Sequence, residues 1–284
     1  MAQTDLDFSL FVDGLDFGEG PRWHDGRLWY SDFYQHSIYA VTPEGEREKI
    51  VEVLTQPSGL GWTPDGTLLI VSMLDRKLLA YDGSALREHA DLSAIATGNC
   101  NDMVVDAVGR AYVGNFGFDM MAGADPATAT LAIVDPDGAV RAGPSDLGFP
   151  NGTVITDDGK TLIVGESMGQ CYTAFTIASN GDLEDRRTWA ATEGYAPDGC
   201  TMDADGGIWF ADAMGNRIVR VMEGGEITHS QEMPSGTYAC ALGGENGTTL
   251  YVLTAVSAHP DKAAGSGAGS ILAAEVSSPH AGRP

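Results

Sequence analysis

The sequence has no uninterrupted apolar run of the roughly 18 residues that a membrane-spanning helix needs. Its first residues, Met1-Ala2-Gln3-Thr4-Asp5-Leu6-Asp7, lack the basic start and apolar stretch of a secretory signal, so a cytoplasmic protein is expected. Cysteine is sparse: Cys100, Cys171, Cys200 and Cys240 form no close CxxC pair, which argues against a zinc-thiolate or redox motif and for reduced structural thiols. Basic residues are few as well. Sixteen Lys and Arg stand against 40 Asp and Glu, and a net charge of −24 repels phosphate backbones and anionic membranes, so neither is expected as a partner. No G-x-S-x-G elbow and no G-x-x-x-x-G-K-[ST] loop occurs, which argues against a serine triad and a nucleotide phosphate site. The six histidines are scattered: His24, His89, His229, His259 and His280 fall near expected turns, loops or the tail, and His36 nearer a strand start, which argues against a His-dependent hydrolase.

What the chain does have is glycine, β-rich runs and a period. Its 37 glycines are spread along the length rather than clustered, which suits a turn-rich all-β protein. Short β-rich runs ending in a small or polar residue recur six times: Leu28–Asp32, Leu69–Ser72, Ala111–Asn115, Leu162–Glu166, Ile208–Asp212 and Leu250–Thr254. Each follows a two-residue turn: Asp25-Gly26, Asp65-Gly66, Val108-Gly109, Asp158-Gly159, Asp205-Gly206 or Asn246-Gly247. Asp-Gly or Asn-Gly between two β-rich runs marks a hairpin, and a period of about 40 to 50 residues with several strands per unit marks a propeller. The expectation is a six-bladed β-propeller occupying about residues 8–277 of a single domain over 1–284, with a flexible tail after Ser277. Phe8–Val12 is left over as a spare strand, and closing the ring requires it to pair with the last blade, near Ser270–Val276. Asp135-Pro136-Asp137-Gly138 and Asp203-Ala204-Asp205-Gly206 lack calcium-loop spacing and read as hairpin turns, as do the Asn-Gly-Thr sequons at Asn151 and Asn246.

Counting back seven residues from each turn reaches the start of the innermost strand. In five blades this gives Ser58, Asn101, Asn151, Asp198 and Ala239, and in blade one, with a count shorter by one, Glu19. Equivalent positions on six inner strands converge on one channel mouth. Glu19, Asn151 and Asp198, each followed by glycine, then place two carboxylates and an amide oxygen together, which suits a hard divalent cation because buried like charges need a cation or protons.

At these residues the sequence resembles the family of senescence marker protein (regucalcin), bacterial gluconolactonases and related lactonases. The resemblance runs from Gly18-Glu19-Gly20-Pro21-Arg22-Trp23 through Cys100-Asn101-Asp102, Phe149-Pro150-Asn151-Gly152 and Ala196-Pro197-Asp198-Gly199 to Thr249-Leu250-Tyr251-Val252. It implies a six-bladed propeller, a metal held by Glu19, Asn151 and Asp198, and a substrate contact at Asn101. Two positions depart from the sugar-lactone pattern. Asn99 stands where those members have Arg, and Asp119 corresponds to their acidic substrate contact. Phe116, Phe118, Met120, Met121, Tyr195 and Tyr238 are expected around the same mouth, a set better suited to an apolar ring or acyl group than to a polyol.

The expected function is hydrolysis of a lactone or related small ester, dependent on one divalent cation, calcium first, with zinc, magnesium or manganese as alternatives. The cation polarises the carbonyl and acidifies the water it holds, Asp198 is the general base, and Asn101 orients the substrate or the developing oxyanion. Substrate contacts are expected from Asn99, Asn101, Phe116, Phe118, Asp119 and Tyr195. The alternative is a metal-stabilised propeller that binds a small molecule or protein without cleaving it. A strictosidine-synthase-like condensing propeller would lack the Glu19, Asn151 and Asp198 set.

Overall fold

The six turns lie where the repeat puts them, each joining the first two strands of a blade. Asp25 and Gly26 both have positive φ, 49° and 73°, the backbone of a hairpin turn that only residues tolerant of the left-handed region adopt cheaply. In the computed structural model, which describes residues 5–284, this hairpin opens the first of six four-stranded antiparallel sheets. Residues 1–4, on which part of the reading of the N-terminus rests, lie outside the described residues.

Blade one comprises Gly18–His24, Arg27–Asp32, Ser37–Val41 and Arg47–Glu52, innermost strand first. The next four begin with Pro57–Trp62, Cys100–Val105, Pro150–Ile155 and Pro197–Met202 on the inside. Blade six consists of Gly236–Gly243, Thr249–Ala255 and Gly269–Glu275, and Ser9–Leu15 from the other end of the chain is its outermost strand, antiparallel to Gly269–Glu275. The expected closure therefore holds: the molecule is an all-β six-bladed propeller. Each inner strand packs against the next, and the sixth packs against the first. Among the described residues no helix is long and apolar enough to cross a membrane.

Burial falls from the axis outward. The inner strands of blades three, four and five are buried at every residue, whereas the outer strand Leu183–Ala191 is mostly exposed. Apolar side chains fill the wedges between blades, with Tyr30, Tyr112, Tyr172, Phe175 and Phe210 the largest that are wholly enclosed. Neighbouring inner strands approach so closely that a Cβ on Gly152 would lie 2.3 Å from the Asp198 carbonyl oxygen, and one on Gly199 2.6 Å from the Ala239 Cβ. Glycine after Asn151 and Asp198 is thus demanded by contact between strands.

The small or polar residues that end the second strands tie down the loops above them. Asp32 accepts hydrogen bonds from the backbone N–H groups of Asp16, Phe17, Tyr34 and Gln35. Asn115 accepts from Gly117, Glu166 from Gly148, and Asp212 from Ala196.

The segment after Ser277, expected as a flexible tail, lies against the propeller. It crosses the end of the propeller where the turns between first and second strands lie: Arg283 exchanges two backbone hydrogen bonds with Ile155, Ala281 N–H donates to Met202, and His280 N–H donates to Gly247. The ends of the inner strands of blades four and five carry backbone groups that no neighbouring strand reaches, and this segment supplies their partners.

Candidate active site at the channel mouth

A β-bulge interrupts every inner strand at its entrance, between Glu19 and Arg22, Pro57 and Leu60, Cys100 and Met103, Pro150 and Thr153, Pro197 and Cys200, and Thr237 and Ala239. A bulge breaks the strict alternation of side chains and re-aims one of them. In blades one, three, four and five this turns Glu19, Asn101, Asn151 and Asp198 into one cavity of about 810 Å³, where all four are buried. Blade six differs from the count made on the sequence. Its bulge falls at Tyr238, so Tyr238 lines the cavity while Ala239 joins the core between blades. Ser58 does not line the cavity, and its carbonyl accepts a hydrogen bond from Ser31.

Burial pushes the Glu19 carboxyl well above the usual carboxylate range, and the negative charges of Asp198 and Asp102 push it further. Asp198 is also raised, by burial first and then by Asp102, against hydrogen bonds from the Asn151 side chain and the Gly199 backbone that favour its ionised form. These acids are short of positive charge. The one buried guanidinium nearby, Arg22, is already committed: Nη2 donates to Asp102 Oδ1 at 2.6 Å and to the Met103 carbonyl at 2.8 Å, Nε to the Leu60 carbonyl, and Nη1 to the Pro21 carbonyl. Arg22 thereby ties blades one, two and three beneath the cavity floor. Neither Arg22 nor Asp102 was expected to act at the site, although Asp102 adjoins Asn101 and could have been flagged by that position.

The Asn151 amide is oriented by a second residue that the sequence reading did not single out. The Ser167 hydroxyl donates to the Pro197 carbonyl at 2.6 Å, which uses its only proton, so it can receive but not give toward Asn151. Asn151 Nδ2 donates to it at 3.2 Å. The amide oxygen must then face the other way, and Asn151 Oδ1 is a fully buried acceptor with no donor. An orphaned amide oxygen beside two buried carboxyls without a counter-charge is the donor set a hard cation completes, with water filling the remaining positions. Among the described residues no group of three or more His, Cys, Asp or Glu could hold a metal, so a cation here depends on that amide.

The expected substrate contacts divide. Asn99, Asn101, Phe116, Met120, Met121 and Tyr238 line the cavity. Phe118, Asp119 and Tyr195 do not. Asp119 is exposed on the loop between Ala111–Asn115 and Ala132–Val134, where its carboxylate accepts from the Ala122 N–H and closes a turn. Phe118 is buried against Phe149, and Tyr195 sits edge-on to Phe210 with its hydroxyl 3.4 Å from the Ser230 hydroxyl. Packing claims both rings. Among the described histidines only His259 reaches the cavity, and its Nδ1 accepts the Asp261 N–H.

A second cavity, about 790 Å³, opens at the opposite end beside Trp23, Trp62, Arg110 and the C-terminal residues, and none of the buried oxygen ligands faces it.

The family model of the SMP-30/gluconolactonase/LRE-like region matches residues 17–256. Pentonolactonase XacC of Haloferax volcanii is 28% identical over 281 residues, covering 94% of this chain and 92% of that protein. Regucalcin of Danio rerio is 26% identical over 256 residues, covering 84% and 83%. The crystal structure of a calcium-binding protein, regucalcin, from Agrobacterium tumefaciens shares the fold with a TM-score of 0.83 at 20% identity, covering 100% of this chain and 99% of that one.

Proposed function

Because the chain belongs to the SMP-30/gluconolactonase/LRE-like family, we propose that it is a hydrolase that opens a lactone or related small ester with the help of one divalent cation. The observation that carries this reading is the buried, donorless Asn151 amide oxygen beside the two raised carboxyls of Glu19 and Asp198. Glu19, Asn151 and Asp198 would hold the cation, calcium first, with zinc, magnesium or manganese as alternatives. Bound there, a divalent ion supplies polarisation of the substrate carbonyl and a more acidic water. Asp198 takes the proton of the attacking water and later returns it to the leaving alkoxide. Asn101 directs its amide toward the carbonyl oxygen as charge develops there. The related lactonase and the apolar cavity wall support a small carbonyl substrate.

Metal removal has two readouts. Chelation is expected to abolish hydrolysis across a panel of aldonolactones, alkyl lactones and aryl esters, and one defined ion to restore it. Stability should follow with a sign set by the raised carboxyls. A carboxyl held above its unfolded value stabilises the fold fully below about pH 4 and loses that contribution as pH rises through the raised folded-state value. The melting temperature of stripped protein, relative to its Asp198→Asn variant, should therefore fall as pH rises above about 4, with the ion restoring most at the upper end of the titration. Undiminished hydrolysis after exhaustive chelation removes the cation from the mechanism. Ion binding with no cleavage of any panel member favours the non-hydrolytic binding module.

Orientation of Asn151 gives a narrower test. Ser167→Ala is expected to weaken cation affinity about tenfold by calorimetry, the scale on which groups behind metal ligands act. In an Asn151→Asp background the same substitution should cost almost nothing, because a carboxylate presents an oxygen whichever way it is turned. Equal losses in both backgrounds would refute an orienting role for Ser167.

A further inference from the structure

Each tight turn between the second and third strands of a blade lifts one apolar side chain onto the rim of the same mouth. Two residues beyond the strand ends Asp32, Ser72, Glu166 and Asp212 stand Tyr34, Leu74, Met168 and Met214, and all four line the cavity. Blade three has a longer loop and contributes Met120 and Met121. Among the described residues the molecule exposes nine large hydrophobics, and five of them, Leu74, Met120, Met121, Met168 and Met214, stand on this one rim. Met214 is 86% exposed. On a chain of net charge −24 with so much polar surface available, that concentration is a binding feature, since exposed apolar groups scattered at random need no explanation but a contiguous patch does.

Below the rim the apolar lining continues through Phe17, Phe33, Phe116 and Phe149 to the Glu19, Asn151 and Asp198 floor, with no Lys or Arg along the way. The cavity of about 810 Å³ is of the size that encloses a drug-sized ligand, so a bare five- or six-membered polyol lactone would leave most of it filled by water against hydrocarbon. Asn99 is an uncharged amide on the cavity wall and offers no cation to an acidic substrate.

We propose that the substrate is a lactone or ester carrying a flexible apolar substituent, its carbonyl at the floor and its hydrocarbon along the methionine-rich collar. This rests on the hydrolase reading above and specifies its substrate. Methionine suits the task because an unbranched, polarisable side chain repacks around chains of different length and shape. The occupant is a substrate substituent because the collar and the floor are walls of a single cavity, so a chain extending toward the mouth from a carbonyl held at Asp198 runs along the collar.

The test is a series of lactones of one ring size with n-alkyl substituents from methyl to about decyl, compared with the aldonolactone of that ring. Cation-loaded protein is assayed for kcat/KM, and the Asp198→Asn protein for affinity by calorimetry. Specificity should rise about two- to fourfold per added methylene over the first several carbons, the factor that transfer of a methylene from water supports when contact is partial to full. Met168→Gln combined with Met214→Gln should flatten the slope. A flat series in both assays, or an aldonolactone turned over as well as the longest alkyl lactone, overturns the assignment and leaves the hydrolase reading standing. Affinity that climbs with chain length while no lactone is cleaved upholds the apolar ligand and overturns the hydrolase reading.

Discussion

Asp198→Ala is expected to lower kcat/KM for lactone hydrolysis by at least about a thousandfold, because in the proposed mechanism one side chain both holds the cation and moves the proton. Asp198→Asn separates the two duties. The amide keeps an oxygen in place and preserves the size of the residue, so cation binding should weaken yet remain measurable by calorimetry, while hydrolysis falls nearly as far as in the alanine variant. The contrast follows from position: Asp198 is buried at the floor of the cavity beside Glu19, and its carboxyl is pushed up by burial and by Asp102. Asn101→Ala, which removes only a hydrogen bond to the developing oxyanion, should cost about a hundredfold. Retention of a tenth or more of the wild-type kcat/KM by Asp198→Ala would place the chemistry elsewhere.

The second large effect concerns stability. Arg22→Met is expected to destabilise the fold by about 3–5 kcal/mol, the loss that follows when one partner of a buried ion pair is removed and the other is stranded. Both side chains are only 3% exposed, and Arg22 Nη2 lies 2.6 Å from Asp102 Oδ1. The stranded Asp102 would add a third unneutralised carboxylate to a floor that already holds Glu19 and Asp198, whose carboxyls it raises even when paired. Replacing both partners, as in Arg22→Met with Asp102→Leu, should recover most of the loss, since an apolar pair of similar volume needs no counter-charge. Arg22 also donates to three backbone carbonyls, so recovery stays partial. Denaturant unfolding of the two single variants and the double decides it: equal destabilisation in single and double variants would show that backbone bonding by Arg22, and not its charge, holds the floor.

The blades were readable from the chain because a hairpin is a local event. A turn such as Asp25-Gly26 and the runs beside it lie within the short stretch Gly18–Asp32, and antiparallel pairing of neighbours in sequence follows from them. Closure by Ser9–Leu15 was readable too, because a ring leaves no other partner for Gly269–Glu275. Register at the mouth was readable in blades one, three, four and five and failed in the second, where Ser58 does not line the cavity, and in the sixth. There the bulge between Thr237 and Ala239 moves the inward-facing position to Tyr238, and a displacement of one residue exchanges a cavity wall for a core position. The wall residues were harder. Phe116 and Phe118 stand two apart on one loop with the same side chain and both pack against Phe149, yet only Phe116 meets the cavity.

From its own order of residues the chain determined how many blades it builds, where they close, and that Glu19, Asn151 and Asp198 recur at equivalent heights, because hydrogen bonding between adjacent strands and the spacing of turns are short-range properties. Only the folded molecule decided that Arg22 answers Asp102 across 80 residues, that Ser167 sets the face of the Asn151 amide, and that Tyr34, Leu74, Met168 and Met214 form one collar. Those contacts bring together residues far apart along the chain, across blades for Arg22 with Asp102 and for Ser167 with the Pro197 carbonyl, and their directions are set by bulges, by the contact of neighbouring inner strands and by which partner is left with a free lone pair, none of which has a period along the chain.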